Sequence, residues 1–244
     1  MFASGVPGYA SEVSAALWLI GADSCPGGWM VALEFADHST ALERWDTAHL
    51  GAVTRRSSVA AAVIDIPIGL TSRGPRACDL EARRLLGRPG GSSVFPAPLR
   101  PMLAATNYQQ AQRIRRGIEG KGCSRQAFGI QAKVAEVDDL VRHHKAGKLH
   151  EGHPELVFRT VAGMAQPPAS KHTREGRSAR WRSLRAEFPY LEQLDPEPPS
   201  SADRLDAFAC LWTARRIVAG TARWVPAQAD QLDPELQVPM RIWF

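Results

Sequence analysis

The chain has 244 residues, 44% of them hydrophobic and 23% charged, with 30 Lys and Arg against 25 Asp and Glu for a formal net charge of +5 at pH 7. These values exclude wholesale disorder and a fibrous chain, and the length predicts one large domain with a substantial core. No signal segment or membrane span is evident, and the four cysteines form no Cys-x-x-Cys pair. We therefore expect a cytoplasmic protein with no membrane partner and no disulfide framework.

The N-terminal part of the chain has the pattern of a sheet. Apolar runs over 17–22 and 29–35, joined by a Pro-Gly-Gly turn, predict two strands, and a third is expected over 40–45. A short helix is expected over 49–56. The continuous apolar run over 59–66, interrupted by one Asp, predicts a central strand that is buried on both faces.

Helical spacing follows the central strand. It predicts a helical insertion over about 73–148, broken by a Gly/Pro-rich stretch at 87–101. Residues 149–158 favour a further strand, although Pro154 restricts it. The last strong element is a helix over 201–220, with Ser201 as its N-cap and a wide apolar face.

The chain is therefore expected to form one domain with two peripheral segments. Residues 1–16 are predicted to be a loose N-terminus, residues 17–225 the domain, and residues 226–244 a C-terminal tail.

Acidic residues occur at places where a carboxylate is costly. Asp23 ends the first apolar run, Asp65 interrupts the central strand, and Asp206 lies in an apolar helix one turn after Asp203. A buried carboxylate needs a cation or hydrogen bonds, and several together repel one another. Divalent ions would resolve both costs, and hard oxygen ligands favour Mg²⁺ or Mn²⁺ over zinc. Two such ions can activate a water and stabilise the leaving oxygen of a phosphodiester.

Each acid also has a structural explanation. Asp23 precedes a turn and could form it through its side chain, and Asp65 could cap the segment that follows. Asp203 in a first helical turn is favoured by the helix dipole. Asp206 is harder to explain in this way, because apolar residues of the same helix place the core close to it.

Two residues of the segment EGHPE at 151–155 are candidates for assisting roles. Glu155 could be a further carboxylate ligand, and His153 could carry a proton. The alternative is that His153, next to a proline, orders a turn.

Basic residues concentrate in two stretches that could line a groove for a phosphate backbone. A charged run is also typical of a solvated helix face. The Gly/Ser-rich stretch at 87–98 could cradle a phosphate through its backbone N–H groups, or be a flexible connector. The candidate nucleic-acid contacts are Arg113, Arg116, Lys171, Arg177 and Arg180.

Seven sequence blocks occur in an order that resembles the domain-of-unknown-function 429 family of predicted ribonuclease H-like nucleases. The resemblance extends over about residues 17–225. The blocks are GADSCPGGW at 21–29, IDIPIGL at 64–70, CDLEARRLLG at 78–87, SSVFPAPLR at 92–100, AEVDDL at 135–140, EGHPELVF at 151–158 and DRLDAFACLWTA at 203–214.

The resemblance implies an α/β fold in which a mixed five-stranded sheet of the ribonuclease H type is flanked by helices, with the helical insertion after the central strand. It also implies catalytic acids on the first strand, the central strand and the last helix, which fall on Asp23, Asp65, and Asp206 or Asp203. The family usually has a further Asp where this chain has Ala202. The roles of Asp203 and Asp206 therefore stay open.

The main hypothesis is a nuclease that hydrolyses phosphodiester bonds of a nucleic acid, DNA or RNA, with Mg²⁺ or Mn²⁺. The metal ligands would be Asp23, Asp65, Asp203 and Asp206, assisted by Glu155 or His153. One alternative is a catalytically inactive module of the same fold that binds nucleic acid or protein. Another is an actin-like ATPase or phosphotransferase, although such enzymes duplicate the domain and this chain is short for that.

Overall fold

The computed structural model describes residues 16–143, 148–163, 169–189, 191, 202–228 and 230–244. The strands are β1 (Leu17–Cys25), β2 (Gly28–Phe35), β3 (Thr40–Trp45), β4 (Ala61–Ile64), β5 (Leu149–Gly152), β6 (Trp224–Val225) and β7 (Ile242–Trp243). The α-helices with described bounds are α1 (Thr47–Thr54), α2 (Ala77–Gly90), α3 (Tyr108–Glu119), α4 (Arg125–Gly129), α5 (Gln131–His143), α6 (Pro154–Val161), α7 (Arg174–Glu187) and α8 (Asp203–Val218).

The strands form one mixed sheet in the order β3-β2-β1-β4-β5-β7-β6. Strands β1, β4, β5 and β7 are parallel, β2 is antiparallel to both β1 and β3, and β6 is antiparallel to β7. The predicted mixed α/β fold is confirmed. The predicted number of five strands is wrong, because two short C-terminal strands extend the described sheet to seven.

Both faces of the central strands are covered by helices. Leu19 of β1 and Val63 of β4 belong to a core formed with α2, α6, α7 and α8, whereas Ile20 and Ile64 belong to a second core formed with α1 and α5. This two-sided burial explains why the β4 segment is apolar without alternation.

In the part of the chain that is described, no helix is long and apolar enough to cross a membrane.

The C-terminal segment differs from the tail expected over 226–244. Strand β7 pairs with Glu151 and Gly152 of β5, and the Oδ2 of the fully buried Asp233 accepts a hydrogen bond from the N–H of Leu70 at 2.7 Å. This segment is therefore part of the core. Alternate residues of its last part, Met240, Ile242 and Phe244, are buried.

The strand predicted over 149–158 is only half correct. Strand β5 ends at Gly152, and Pro154 begins α6, where proline is favoured because the first helical N–H has no partner within the helix.

The last helix begins at Asp203, and the cap position is Ala202, which makes no side-chain cap bond. The proposed N-cap Ser201 lies outside the described residues, as does the expected N-terminal segment except Ala16.

The position of α8 depends on Gly21 of β1. A Cβ atom at Gly21 would lie 2.1 Å from the backbone N of Leu211 and 2.3 Å from the carbonyl O of Ala207. No side chain fits there, so the helix backbone lies directly on the strand. This contact brings the start of α8, including Asp206, to the end of β1 where Asp23 is located.

Candidate active site

Asp23 and Asp65 lie side by side because of the strand register. The parallel strands β1 and β4 align Ala22 with Ile64, and the N–H of Asp65 donates to the carbonyl O of Ala22 at 3.0 Å. The next residues along the two strands are the two acids. The register therefore places two carboxylates at the same edge of the sheet.

Asp206 completes the group from the helix layer. Its side chain is fully buried, and its Oδ2 accepts a hydrogen bond from Nζ of Lys171 at 2.6 Å. Its Oδ1 is also buried, with no hydrogen-bond partner among the described residues. Asp203, half-buried, lies three residues earlier in the same helix. The dipole of α8 favours both acids, since both lie in its first turn.

The carboxylates raise one another's pKa. Burial raises the pKa of Asp23 well above its usual range, and the charges of Asp206 and Asp65 raise it further. Burial also raises the pKa of Asp65, whereas His153 and Lys171 lower it. The pKa of Asp206 is raised to about 6 by burial, although Lys171 opposes the change. The cluster thus has more negative charge than its surroundings compensate.

Lys171 forms an ion pair with Asp206 and interacts electrostatically with Asp65 and Asp23. Burial alone would lower its pKa, but the charges of Asp206, Asp65 and Asp23 raise it above its ordinary value, so the side chain stays an ammonium. The sequence predicted Lys171 as a nucleic-acid contact. The structure places it within the acidic cluster, a position that no local sequence pattern indicates.

Glu155 and His153 have different environments. Both carboxylate oxygens of Glu155 accept hydrogen bonds from Nη2 of Arg180, at 2.9 and 2.8 Å. Glu155 is thereby held in a buried ion pair. His153 precedes α6, and its Nδ1 is buried without a partner in the described ranges. The electrostatic interaction of Asp65 with His153 lowers the pKa of Asp65.

The predicted nucleic-acid contacts do not share one surface. Arg113 and Arg116 are exposed on α3. Arg180 is only 1% exposed and pairs with Glu155, so its charge is used inside the protein, contrary to the expected groove. Arg177 donates from Nη1 to the carbonyl oxygens of Lys171, at 3.3 Å, and His172, at 3.0 Å. Arg177 therefore stabilises the backbone of the turn that contains Lys171.

A second buried network supports the segment after Asp65. Arg76, 2% exposed, donates to both carboxylate oxygens of Glu151 at 2.6 and 2.7 Å and through Nε to Asp79 at 3.1 and 3.2 Å. Glu151 also accepts the N–H of Ile68 at 2.7 Å. This network fixes the loop that begins at Asp65. No sequence pattern indicated this network, although Asp79 and Glu151 lie in two of the seven blocks.

The Arg76 network is expected to make the stability of the folded protein depend on pH. Burial raises the pKa of Glu151 to about 7, and Arg76 offsets only part of the shift because Asp79 shares its guanidinium. The folded protein then holds a proton that the unfolded chain loses above the ordinary value of 4.5. The resulting stabilisation is complete below that value and is lost as the pH rises through about 7.

A Glu151→Gln variant is therefore expected to show a weaker decline of unfolding free energy between about pH 5 and about pH 8 than the wild type. Urea denaturation at several pH values across this range measures how the unfolding free energy changes with pH. Equal slopes in the two proteins would contradict the assignment.

The donor set fits a hard divalent cation in chemistry and charge. Asp23, Asp65 and Asp206 provide oxygen ligands, and one buried oxygen of Asp206 has no partner in the described part. In the present arrangement, no three His, Cys, Asp or Glu side chains of the described residues are grouped closely enough to hold one ion. A metal would therefore require these carboxylates to move closer together and Lys171 to leave Asp206.

Comparison with known proteins identifies the family. A family described as "Protein of unknown function (DUF429)" matches residues 21–231, a range that contains Asp23, Asp65, Asp203 and Asp206. No curated protein and no solved structure matches the chain. Because the match covers most of the sequence, the chain belongs to the DUF429 family.

Proposed function

We propose that this protein is a Mg²⁺- or Mn²⁺-dependent nuclease built on a ribonuclease H-like fold. The proposal depends on two geometric observations: the register of β1 and β4 sets Asp23 beside Asp65, and the contact of α8 with Gly21 sets Asp206 at the same end of β1. The family resemblance supports the proposal, because it implies catalytic acids on the first strand, the central strand and the last helix, the elements to which Asp23, Asp65 and Asp206 belong or are adjacent. Fold alone would not support an activity, so the proposal depends on these side chains.

The residues of the cluster would have distinct roles. Asp23, Asp65 and Asp206 would hold the metal, with Asp203 as a further ligand one turn away on α8. Bound ions of this kind supply an activated water and stabilise the charge on the leaving oxygen. His153 would hold or transfer a proton at its unpartnered Nδ1 beside Asp65. Glu155, paired with Arg180, would position the start of α6 rather than bind metal.

The direct test is a cleavage assay with labelled single- and double-stranded DNA and RNA. We expect products with Mn²⁺ or Mg²⁺ and none with EDTA. Stable, salt-dependent binding of these substrates without turnover in either metal would contradict the proposal.

The Lys171–Asp206 ion pair favours a second candidate, an inactive binding module. In such a module, Lys171 would be the permanent counter-ion of the cluster and no metal would be required. In the nuclease, Lys171 would instead compete with the metal for Asp206. The two candidates therefore differ in what the removal of Lys171 does.

A Lys171→Met variant separates them. For the nuclease, we expect a lower melting temperature without metal, because Asp206 loses its partner, and an Mn²⁺ affinity about tenfold higher than that of the wild type. Calorimetric titration and thermal melts measure both. Lys121→Met, which removes an exposed ammonium, is the matched control. Destabilisation that Mn²⁺ does not reverse would favour the binding module.

A further inference from the structure

A surface cleft with a volume of about 540 Å³ lies at the C-terminal end of α2, in a part of the chain that the proposed function does not use. This volume is within the range of small-molecule sites. Its lining includes Arg83, Arg84, Gly87, Arg88, Gly91 and Ser92.

The backbone around the cleft is fixed by close packing. The helix is interrupted at Gly87, with φ +61°, and at Arg88, which is extended. A Cβ atom at Gly91 would lie 2.8 Å from the carbonyl O of Arg83, so the following turn packs against the helix backbone. Arg83 also donates from Nη1 to the carbonyl O of Val94 at 3.0 Å. The cleft wall is therefore preorganised.

Positive charge in the cleft exceeds what nearby acids compensate. Arg84 lies 3.7 Å from Glu81, which also accepts a hydrogen bond from the N–H of Ala227 at 3.1 Å. Within the described ranges, no carboxylate forms an ion pair with Arg83 or Arg88. Arg83, Arg84 and Arg88 all line this one cleft, so a bound anion would be attracted by three guanidinium groups.

We propose that this cleft binds the phosphate groups of a ligand. Guanidinium groups match phosphate oxygens with paired N–H donors, and their charge persists at every physiological pH. The Gly/Ser-rich turn lets a ligand approach the backbone closely. Site and chemistry are independent of the acidic cluster and need no metal, so this proposal does not depend on the nuclease activity. The phosphates could belong to a free polyphosphate compound or to a nucleic-acid strand.

The test is a binding titration in EDTA with pyrophosphate and, separately, a short single-stranded oligonucleotide. The variant Arg84→Gln/Arg88→Gln removes two charges and spares the Arg83 bond to Val94. The control Arg55→Gln/Arg56→Gln removes two exposed charges at the end of α1. We expect the cleft variant to weaken binding about tenfold and the control to change it less than about twofold.

Pyrophosphate binding that is lost in the cleft variant supports the proposal and identifies a free phosphate compound as the ligand class. Oligonucleotide binding that is lost in the same variant, without pyrophosphate binding, supports it with a strand as the source. The proposal is overturned if neither probe binds the wild type, or if the cleft and control variants lose the same affinity. Because EDTA is present throughout, a negative result in this titration does not bear on the proposed metal site at the acidic cluster.

Discussion

An Asp65→Asn variant is expected to lose metal-dependent hydrolysis by about a thousandfold or more while it keeps its fold. Asn retains the size of the side chain but removes the charge that would hold a cation beside Asp23. The pKa of Asp65 is raised by burial, so replacing it with a neutral group removes a cost of the folded state. The melting temperature of the Asp65→Asn variant should therefore equal or exceed that of the wild type.

Turnover assays and thermal melts on the same preparations check this expectation. Asp37→Asn is a suitable control, because Asp37 is an exposed turn residue that binds Ser39. A purely structural Asp65 would show the opposite pattern, with a lower melting temperature and retained activity. Hydrolysis at the wild-type rate in Asp65→Asn would exclude the assigned role.

The largest effect on stability is expected for Arg76→Leu. This change leaves Glu151 and Asp79 buried without their shared guanidinium, and breaking a buried pair in this way typically costs about 3–5 kcal/mol of unfolding free energy. Urea denaturation measures it. The loop from Asp65 to Leu70 should also lose its anchor, since Glu151 binds the N–H of Ile68.

A second variant separates lost charge compensation from lost packing. Arg76→Leu combined with Glu151→Gln removes one of the stranded charges and should recover part of the lost stability. If Arg76→Leu alone costs less than about 1 kcal/mol, the network is not the support that its geometry indicates.

The sequence singled out these acids because each carboxylate stands in or next to an apolar segment. Asp65 interrupts an apolar run, Asp23 ends another and Asp206 lies among core residues, and the structure buries Asp23 and Asp206. The register of β1 and β4 then places two of the acids side by side. Such patterns are local and repeat at the period of a strand or helix.

The position of Lys171 could not be predicted in this way. Lys171 reaches Asp206 only because the turn before α7 packs against the start of α8, a contact between segments 35 residues apart. The same reasoning applies to Arg180, whose partner Glu155 lies 25 residues away. The sequence around Lys171 and Arg180 does not distinguish them from the other basic residues of the same stretch. Tertiary packing decides which charges face solvent and which face a buried acid.

The short C-terminal strands were missed for a different reason. Strands β6 and β7 have two residues each, which is too short for a periodicity to be significant. Pro154 was a clearer indication against the predicted strand at 149–158, because proline is favoured at the first position of a helix and restricted within strands.

The most direct test of the central claim is a calorimetric Mn²⁺ titration of the wild type and Asp206→Asn. A divalent-cation site built from Asp23, Asp65 and Asp206 predicts saturable binding to the wild type, with a matching rise in melting temperature, and the loss of both in Asp206→Asn. Equal responses of the two proteins, or no response of the wild type with or without an oligonucleotide, would contradict it.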